Sequence, residues 1–384
     1  MKITVWARDP WWDQYYYGLF KDMAEIMPDN SEMHYIIYDP ISRNFEKIKK
    51  TTYTEKLVGL MIIEELQYEC DYTSNQFSPA AAHIIDLCNL NPNTQFIIFT
   101  EIEYFNKEVP EISNLRIVPV GTCLMAEHAH RDTIIPVTEK NLLSTQTFVS
   151  LNRSFRPSRV TLLSYLLGTS LADCGYLSFN SMDLIKDHSS WLSYCPWGIP
   201  DKYRQEILDG FELLKVGHGI THSITAVDNL YNIQACDNVT NFNEFLRSIY
   251  KNTFVEIVSE TTFTLPGILV TEKTKNSIYG YNFPIFVAGK GIVNHLKNDL
   301  GLDMFDDIID HSYDTIEDNV TRITTAIDSN KRLLTDSSYI KSCWQNNFDR
   351  FTSNVHILRT QIEKFYRQRA WSKLTDILRE CGYN

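Results

Sequence analysis

Thr253-Phe-Val-Glu256-Ile-Val-Ser259-Glu260, then Thr271-Glu272-Lys273, then Pro284-Ile-Phe-Val-Ala-Gly289: this stretch decides the fold. It runs as an apolar strand, a polar loop, a helix opened by Thr-Glu-Lys, and a second apolar strand ending in Gly. Thr271 suits a helix cap, Glu272 sits where the helix dipole favours an acid, and Lys273 projects from the mouth of the crevice beyond the strand ends. Glu260 closes the preceding strand. A carboxylate and a Lys beside a helix amino terminus suit a nucleotide, the acid accepting from ribose or base groups while cations neutralise a diphosphate. The same residues also fit a plain capped helix with a solvated Glu and Lys on its first turn.

Upstream, Phe148-Val-Ser150-Leu-Asn152-Arg153-Ser-Phe-Arg156-Pro157-Ser-Arg159 leads into the apolar Val160 to Leu167. The pattern is strand, basic loop and helix, with Pro157 and Ser158 at the helix start. Three Arg at a helix amino terminus oppose its dipole, and a bound anion held by backbone N–H groups and guanidinium forks resolves the conflict. The alternative is a solvated turn paired with nearby acids.

The first half alternates strands and helices: Ile3 to Ala7, Met33 to Tyr38, Leu57 to Ile63, Thr94 to Thr100 and Leu115 to Val120 as strands, with Gly18 to Met27 and Ala80 to Leu87 helical. That alternation predicts a parallel sheet covered on both faces, with ligands beyond the carboxyl ends of its strands. The rule singles out Arg8 and Asp9 after the first strand and Glu101 after the fourth. A turn or cap role competes for Asp9. Glu127-His128-Ala-His130 offers two His at i, i+2, which diverge on a helix, so no metal site is expected. A boundary is expected near residues 133 to 145, giving domains 1–140, 141–335 and 336–384, the last helical and returning toward the first.

Downstream, Gly291 to Leu296 reads as a short helix. Asp306, Asp307, Asp310, Tyr313 and Asp314 precede a helix expected from about Ile316 to Leu333, whose first turn would favour acids. The tail from Ser338 to Cys381 shows two helical patterns with Arg359, Lys364, Arg367, Arg369 and Lys373 on them.

Over 384 residues, 36 Lys and Arg face 48 Asp and Glu, a net charge of -12 that does not draw the whole molecule onto nucleic acid. Eight dispersed Cys without a Cys-x-x-Cys pair exclude zinc-ribbon and dithiol chemistry on spacing. No run reaches the roughly 18 apolar residues of a membrane span, and the opening residues lack a signal peptide's apolar region. A cytoplasmic protein without membrane contact is therefore expected. Neither Gly-x-x-x-x-Gly-Lys-Ser/Thr nor Gly-x-Gly-x-x-Gly occurs, which disfavours ATP hydrolysis and dinucleotide oxidoreduction.

The order Ser259-Glu260, Thr271-Glu272-Lys273 and Pro284 to Gly289 resembles the donor-binding signature of family 10 glycosyltransferases, the alpha-1,3/1,4-fucosyltransferases and their relatives. Phe148-Val-Ser150 followed by Arg159 is similar to that family's Val-Ser-Asn strand and its phosphate-binding Arg. The family carries Glu-Asn-Ser where this chain has Glu260-Thr261-Thr262. The resemblance covers about residues 146 to 290 and implies an α/β fold of GT-B type, with two facing Rossmann-like domains. It implies a nucleotide-diphosphate sugar as donor substrate, GDP-linked before UDP-linked, with no separate cofactor and no metal. Carried over, Arg159 and Lys273 would hold the diphosphate and Glu260 and Thr271 would contact the nucleoside or sugar; Arg153 and Glu272 are further donor-binding candidates, and Glu101, at a strand end in the first half, is the candidate general base by its position. Transfer would be inverting, to a glycan or small-molecule acceptor. A nucleic acid carrying hydroxylated bases is a second acceptor class, and a nucleotide-sugar or glycan binding module without turnover a third reading.

Overall fold

The structure, a computed structural model, describes residues 2–5, 23–29, 31–37, 52–53, 56–63, 79–100, 112–119, 135–152, 156–179, 197–220, 246–260, 263, 268 and 270–383. These residues fall into two compact units. Each is an α/β unit built on a parallel sheet.

The first unit carries β1 (Lys2–Val5), β2 (Glu32–Ile37), β3 (Leu57–Ile63), β4 (Gln95–Thr100) and β5 (Leu115–Pro119), side by side in chain order and all parallel. Successive side chains of a strand point to opposite faces, and the two cores follow that alternation. Val58, Leu60, Phe96 and Ile98 pack with Ile84, Leu87 and Cys88 of α1 (Pro79–Leu90) on one face. Leu57, Met33, Ile97 and Phe99 pack on the other with Met23, Ala24 and Met27, and with Ala370, Leu374 and Ile377 of the C-terminal helix Ile362–Glu380. Asn114 ties the β4 entrance together, its amide donating to the carbonyls of Cys88, Asn91 and Thr94 at 3.2, 3.0 and 3.0 Å.

The second unit contains β6 (Phe148–Asn152), β7 (Gly175–Phe179), β8 (Val255–Ser259) and β9 (Phe283–Val287) in the order β7-β6-β8-β9, again all parallel. Its helices among the described residues include α2 (Pro157–Gly168), α3 (Arg204–Lys215), α4 (Glu272–Tyr279), α5 (Ile292–Asn298), α6 (Asn319–Asp328), α7 (Lys331–Thr335), α8 (Ser337–Asn346) and α9 (Phe348–Thr360). Pro157 opens α2 because its fixed φ and missing N–H suit a first helical position. The tail therefore forms three helices where two patterns were expected. Of these, α8 and α9 belong to the second unit and the C-terminal helix to the first.

Helices α2 and α3 meet through bare backbone. A Cβ on Gly210 would lie 1.7 Å from the Ser164 carbonyl oxygen, and one on Gly168 would lie 1.9 Å from that of Glu206. Neither neighbour is a flexible side chain, so an added methyl must push the helices apart. Gly210→Ala is expected to lower stability by about 1–3 kcal/mol in urea unfolding despite alanine's better helix propensity.

The acids before α6 act differently from a simple first-turn cluster. Asp318 alone caps α6, accepting from the Thr321 N–H at 2.7 Å. Asp303 takes a two-pronged ion pair from Arg350 of α9 at 2.6 and 2.8 Å, and Asp307 a further contact from the same guanidinium at 2.9 Å. Asp314 turns back to the preceding helix, where its carboxylate accepts from the N–H groups of Gly291, Val293 and Asn294 at 3.1, 3.1 and 3.2 Å. The chain needs these long-range ties because Gly291 turns it sharply into α5 at φ 89°.

Candidate functional site

In an open parallel sheet a crevice forms where the strand order reverses, since loops leaving the two adjacent strands diverge. The second sheet reverses between β6 and β8. Asn152 ends β6 there, and Ser259 and Glu260 end β8.

Arg159, the third residue of α2, reaches this reversal from above: its terminal nitrogen lies 3.5 Å from the Ser259 carbonyl oxygen. The side chain is only 2% exposed. A guanidinium is seldom so deeply buried, and on a first helical turn it also opposes the dipole.

Glu260 lies on the α4 side of the same strand end and is fully buried. Its carboxylate accepts from the Thr271 N–H at 3.2 Å, the Thr271 hydroxyl at 2.5 Å and the Thr274 hydroxyl at 2.5 Å. Thr271 is the cap of α4, its Oγ1 accepting from the Lys273 N–H at 3.4 Å. The half-buried Lys273 folds its ammonium back onto the same oxygen at 3.1 Å. Glu260 is thus a brace joining β8 to the start of α4, and Thr271 relays that brace to Lys273.

Among the described residues, the start of α5 beyond β9 is a further helix terminus at this end of the sheet, and it is already filled. The buried Asp314 carboxylate occupies the amino terminus of α5, and burial holds its pKa above the ordinary carboxylate value although three N–H groups pull it down. An anion is therefore excluded from α5 by charge and by space, which among the described residues leaves the α2 and α4 termini beside the reversal. Arg322 holds the surrounding loops in place, donating to the carbonyls of Ala288, Ile316 and Phe263 at 3.3, 2.7 and 3.0 Å while stacking on the Phe263 ring at 4.3 Å.

Deeper in the unit, Glu256 shares the α4 face of β8 with Glu260. Burial pushes its carboxyl up to about 8, with the Glu260 charge adding to the rise, against hydroxyl contacts from Tyr250 and Ser277 and the charge of Lys140. Lys140 is caged by the carbonyls of Tyr250, Thr253 and Gly280 at 2.6, 2.8 and 2.7 Å and by the Asn282 side-chain oxygen at 2.5 Å. Burial lowers its pKa well below the usual lysine value. Lys140 thus pins the segment before β6 to the amino ends of β8 and β9, away from the strand end that Arg159 reaches.

A partly buried His marks a second structural relay. The Phe286 N–H donates to the Tyr313 hydroxyl at 2.9 Å, that hydroxyl meets His311 Nδ1 at 3.1 Å, and Nε2 meets the Met304 carbonyl at 2.8 Å. The network fixes a neutral imidazole protonated at Nε2. Burial keeps its pKa below the ordinary His value, opposed by the Met304 bond and by Asp306, Asp314 and Asp310. A depressed folded pKa means stability that is present above the unfolded value of about 6.5 and lost as pH falls through the folded one. Acid unfolding of His311→Gln is expected to show a shallower dependence on pH than wild type in that range.

Arg159, Glu260, Thr271 and Lys273 are therefore gathered around one strand end. Glu272 opens α4, and its side chain lies outside the described residues, as do Arg8, Asp9, Glu101, Glu127, His128, His130 and Arg153. Asn152, Thr274, Glu256 and Lys140 were not foreseen as site or brace residues. The one signal for Asn152 and Ser259 was a polar residue closing each of two mainly apolar strands. Among the described residues no group of three or more His, Cys, Asp or Glu side chains is placed to hold a metal ion, and no helix is long and apolar enough to cross a membrane.

No family model matches the chain, and no curated protein matches it. Among solved structures it is similar to a UDP-forming alpha,alpha-trehalose-phosphate synthase from Burkholderia xenovorans, at 10% sequence identity and a TM-score of 0.42, over 95% of this chain and 78% of that one. So distant a likeness assigns no role to any residue. What the chain itself establishes is two α/β units, each on a parallel sheet, the second with a charged and polar crevice at its strand-order reversal.

Proposed function

We propose that the protein is a glycosyltransferase of GT-B type that moves a sugar from a nucleotide-diphosphate sugar, GDP-linked before UDP-linked, to an acceptor hydroxyl. The observation that carries this reading is the buried Arg159 at the β6/β8 reversal, beside a braced Glu260–Thr271–Lys273 constellation at the start of α4. The resemblance of those residues to the family 10 donor signature supports it.

The donor diphosphate lies between Arg159 and Lys273 in this reading. The acceptor oxygen forms its bond to the anomeric carbon as the bond from that carbon to the diphosphate oxygen breaks, with inversion. The acceptor proton passes to a carboxylate base, for which Glu101 is the candidate. Negative charge grows on the leaving diphosphate, and fixed cations that strengthen their contact as it grows lower the barrier. Two side-chain cations supply that countercharge without a metal. The acceptor is a glycan or small molecule, and a hydroxylated nucleic acid is the second class.

The geometry adjusts one role. Three of the Glu260 lone pairs are already engaged by Thr271 and Thr274, so its main contribution is to fix the start of α4.

A panel of GDP- and UDP-sugars tests the reading by thermal shift, then by donor hydrolysis and transfer with EDTA present. At least one donor is expected to raise the melting temperature and to be consumed. Stable folded protein that neither binds nor turns over any nucleotide sugar would sink the assignment. Binding without turnover to any acceptor would reduce it to a binding module.

A further inference from the structure

The carboxyl ends of β6 and β8 hold two polar groups that the protein leaves unmatched. Asn152 and Ser259 are each 1% exposed, and Asn152 Oδ1 and Ser259 Oγ have no hydrogen-bond partner among the described residues. The strands pair in register from Phe148 with Val255 and Val149 with Glu256. Counting along both strands brings Asn152 level with Ser259 on neighbouring strands, so the two side chains share one face of the sheet. Ser158, on the first turn of α2 beside Arg159, is also 1% exposed with an unmatched hydroxyl.

The polarity of Asn152 follows from its neighbour. The Ser150 hydroxyl donates toward the Ile257 carbonyl at 3.5 Å, so its oxygen is left to accept, and it accepts from Asn152 Nδ2 at 3.0 Å. With the amide nitrogen turned to Ser150, the amide oxygen is the end left without a partner. The crevice therefore presents a cation from Arg159, an acceptor from Asn152, and hydroxyls from Ser259 and Ser158.

That combination is selective. A bare phosphate satisfies the guanidinium but offers the Asn152 oxygen little to accept. A nucleobase offers N–H donors but no charge. A sugar phosphate supplies anionic oxygens and, beside them, O–H donors. Buried polar groups in proteins are almost always paired, and those that are not destabilise the free chain until a ligand or water completes them.

Resting on the nucleotide-sugar reading above, we propose that the β6/β8 reversal binds the sugar-phosphate end of the ligand, with Arg159 on the phosphate, Ser259 donating to a phosphate oxygen and Asn152 Oδ1 accepting from a sugar hydroxyl.

The test measures binding of glucose 1-phosphate, mannose 1-phosphate, inorganic phosphate, GDP-mannose and UDP-glucose to wild type, Ser259→Ala and Asn152→Leu by calorimetry, with melting curves of each free protein. Ser259→Ala is expected to melt at or above the wild-type temperature, because it deletes an unmatched hydroxyl, and to weaken the preferred sugar phosphate about tenfold. Asn152→Leu is expected to weaken that sugar phosphate about tenfold and inorganic phosphate less than threefold, since only the former offers a hydroxyl to the amide oxygen. Equal weakening of both ligands by Asn152→Leu, unchanged binding in Ser259→Ala, or a lowered melting temperature in Ser259→Ala would overturn the inference, the last pointing to a structural water. Sugar-phosphate binding that depends on these residues, with no nucleotide sugar bound, keeps the inference and defeats the glycosyltransferase reading. Nucleotide-sugar binding equal in all three proteins does the reverse, and wild type that binds none of the five defeats both.

Discussion

Arg159→Ala is expected to cut donor binding and transfer by about 100-fold or more, the scale of ~2.7–4 kcal/mol seen when one preorganised donor to a developing anion is removed. The expectation rests on where the guanidinium is held. It is almost fully enclosed, on a helix turn whose dipole repels it, with its tip at the β8 strand end. Low local polarity strengthens any contact it makes to a phosphate. Arg159→Lys is the sharper variant, because it keeps the charge while losing the planar fork. Retention of full affinity in Arg159→Lys would show that a point charge suffices, whereas a loss of about tenfold or more would show that two-pronged contact matters. Melting curves of both variants separate lost ligand contact from lost packing. Wild-type-like turnover in a well-folded Arg159→Ala would remove Arg159 from the site.

Glu260→Ala is the change expected to cost most in stability. Three donors, the Thr271 N–H and the Thr271 and Thr274 hydroxyls, converge on one carboxylate in a fully buried position. Truncation leaves all three unmatched and opens a cavity, for an expected loss of about 3–5 kcal/mol in urea unfolding. Glu260→Gln keeps one acceptor oxygen but turns an NH2 toward the other donors, and an intermediate loss of about 1–3 kcal/mol is expected. The kinetic consequence distinguishes brace from ligand contact. If Glu260 acts through α4, the Gln variant near its stable temperature shows raised KM through a displaced Lys273, and Thr274→Val reproduces part of that effect without touching the carboxylate. A Glu260→Gln variant with wild-type stability would refute the brace.

Local pattern carried much of the scaffold. Continuous apolar runs such as Phe96 to Phe99 and Phe283 to Val287 read directly as buried parallel strands, because a strand covered on both faces cannot alternate in polarity. Pro157 and Thr271 announced their helix starts through chemistry confined to one turn. The tail was less legible, since Asn347 and Gln361, where the chain breaks between helices, carry neither Gly nor Pro as a stop signal. The acid cluster misled for another reason. Asp314 lies only five residues before α6, yet its carboxylate is drawn to the α5 amino terminus, which the chain reaches only through the turn at Gly291.

By itself the sequence marked most of the strands, the helix starts at Pro157 and Thr271 and the charged residues beside them, though not β7 or α3, because period, cap and turn chemistry act over a few residues. The tertiary structure decided what those residues touch. The order β7-β6-β8-β9 is a property of crossover connections, invisible to local pattern, and it alone makes neighbours of Asn152 and Ser259. It likewise brings Arg159 to a strand end 100 residues further along the chain, and it turns Glu260 from a solvated acid into the bolt of α4 by aiming two threonines at it. Burial supplies the physical reason: in water each of these groups would be satisfied by solvent, and only when the sheet and its helices exclude that solvent must they find one another or a ligand.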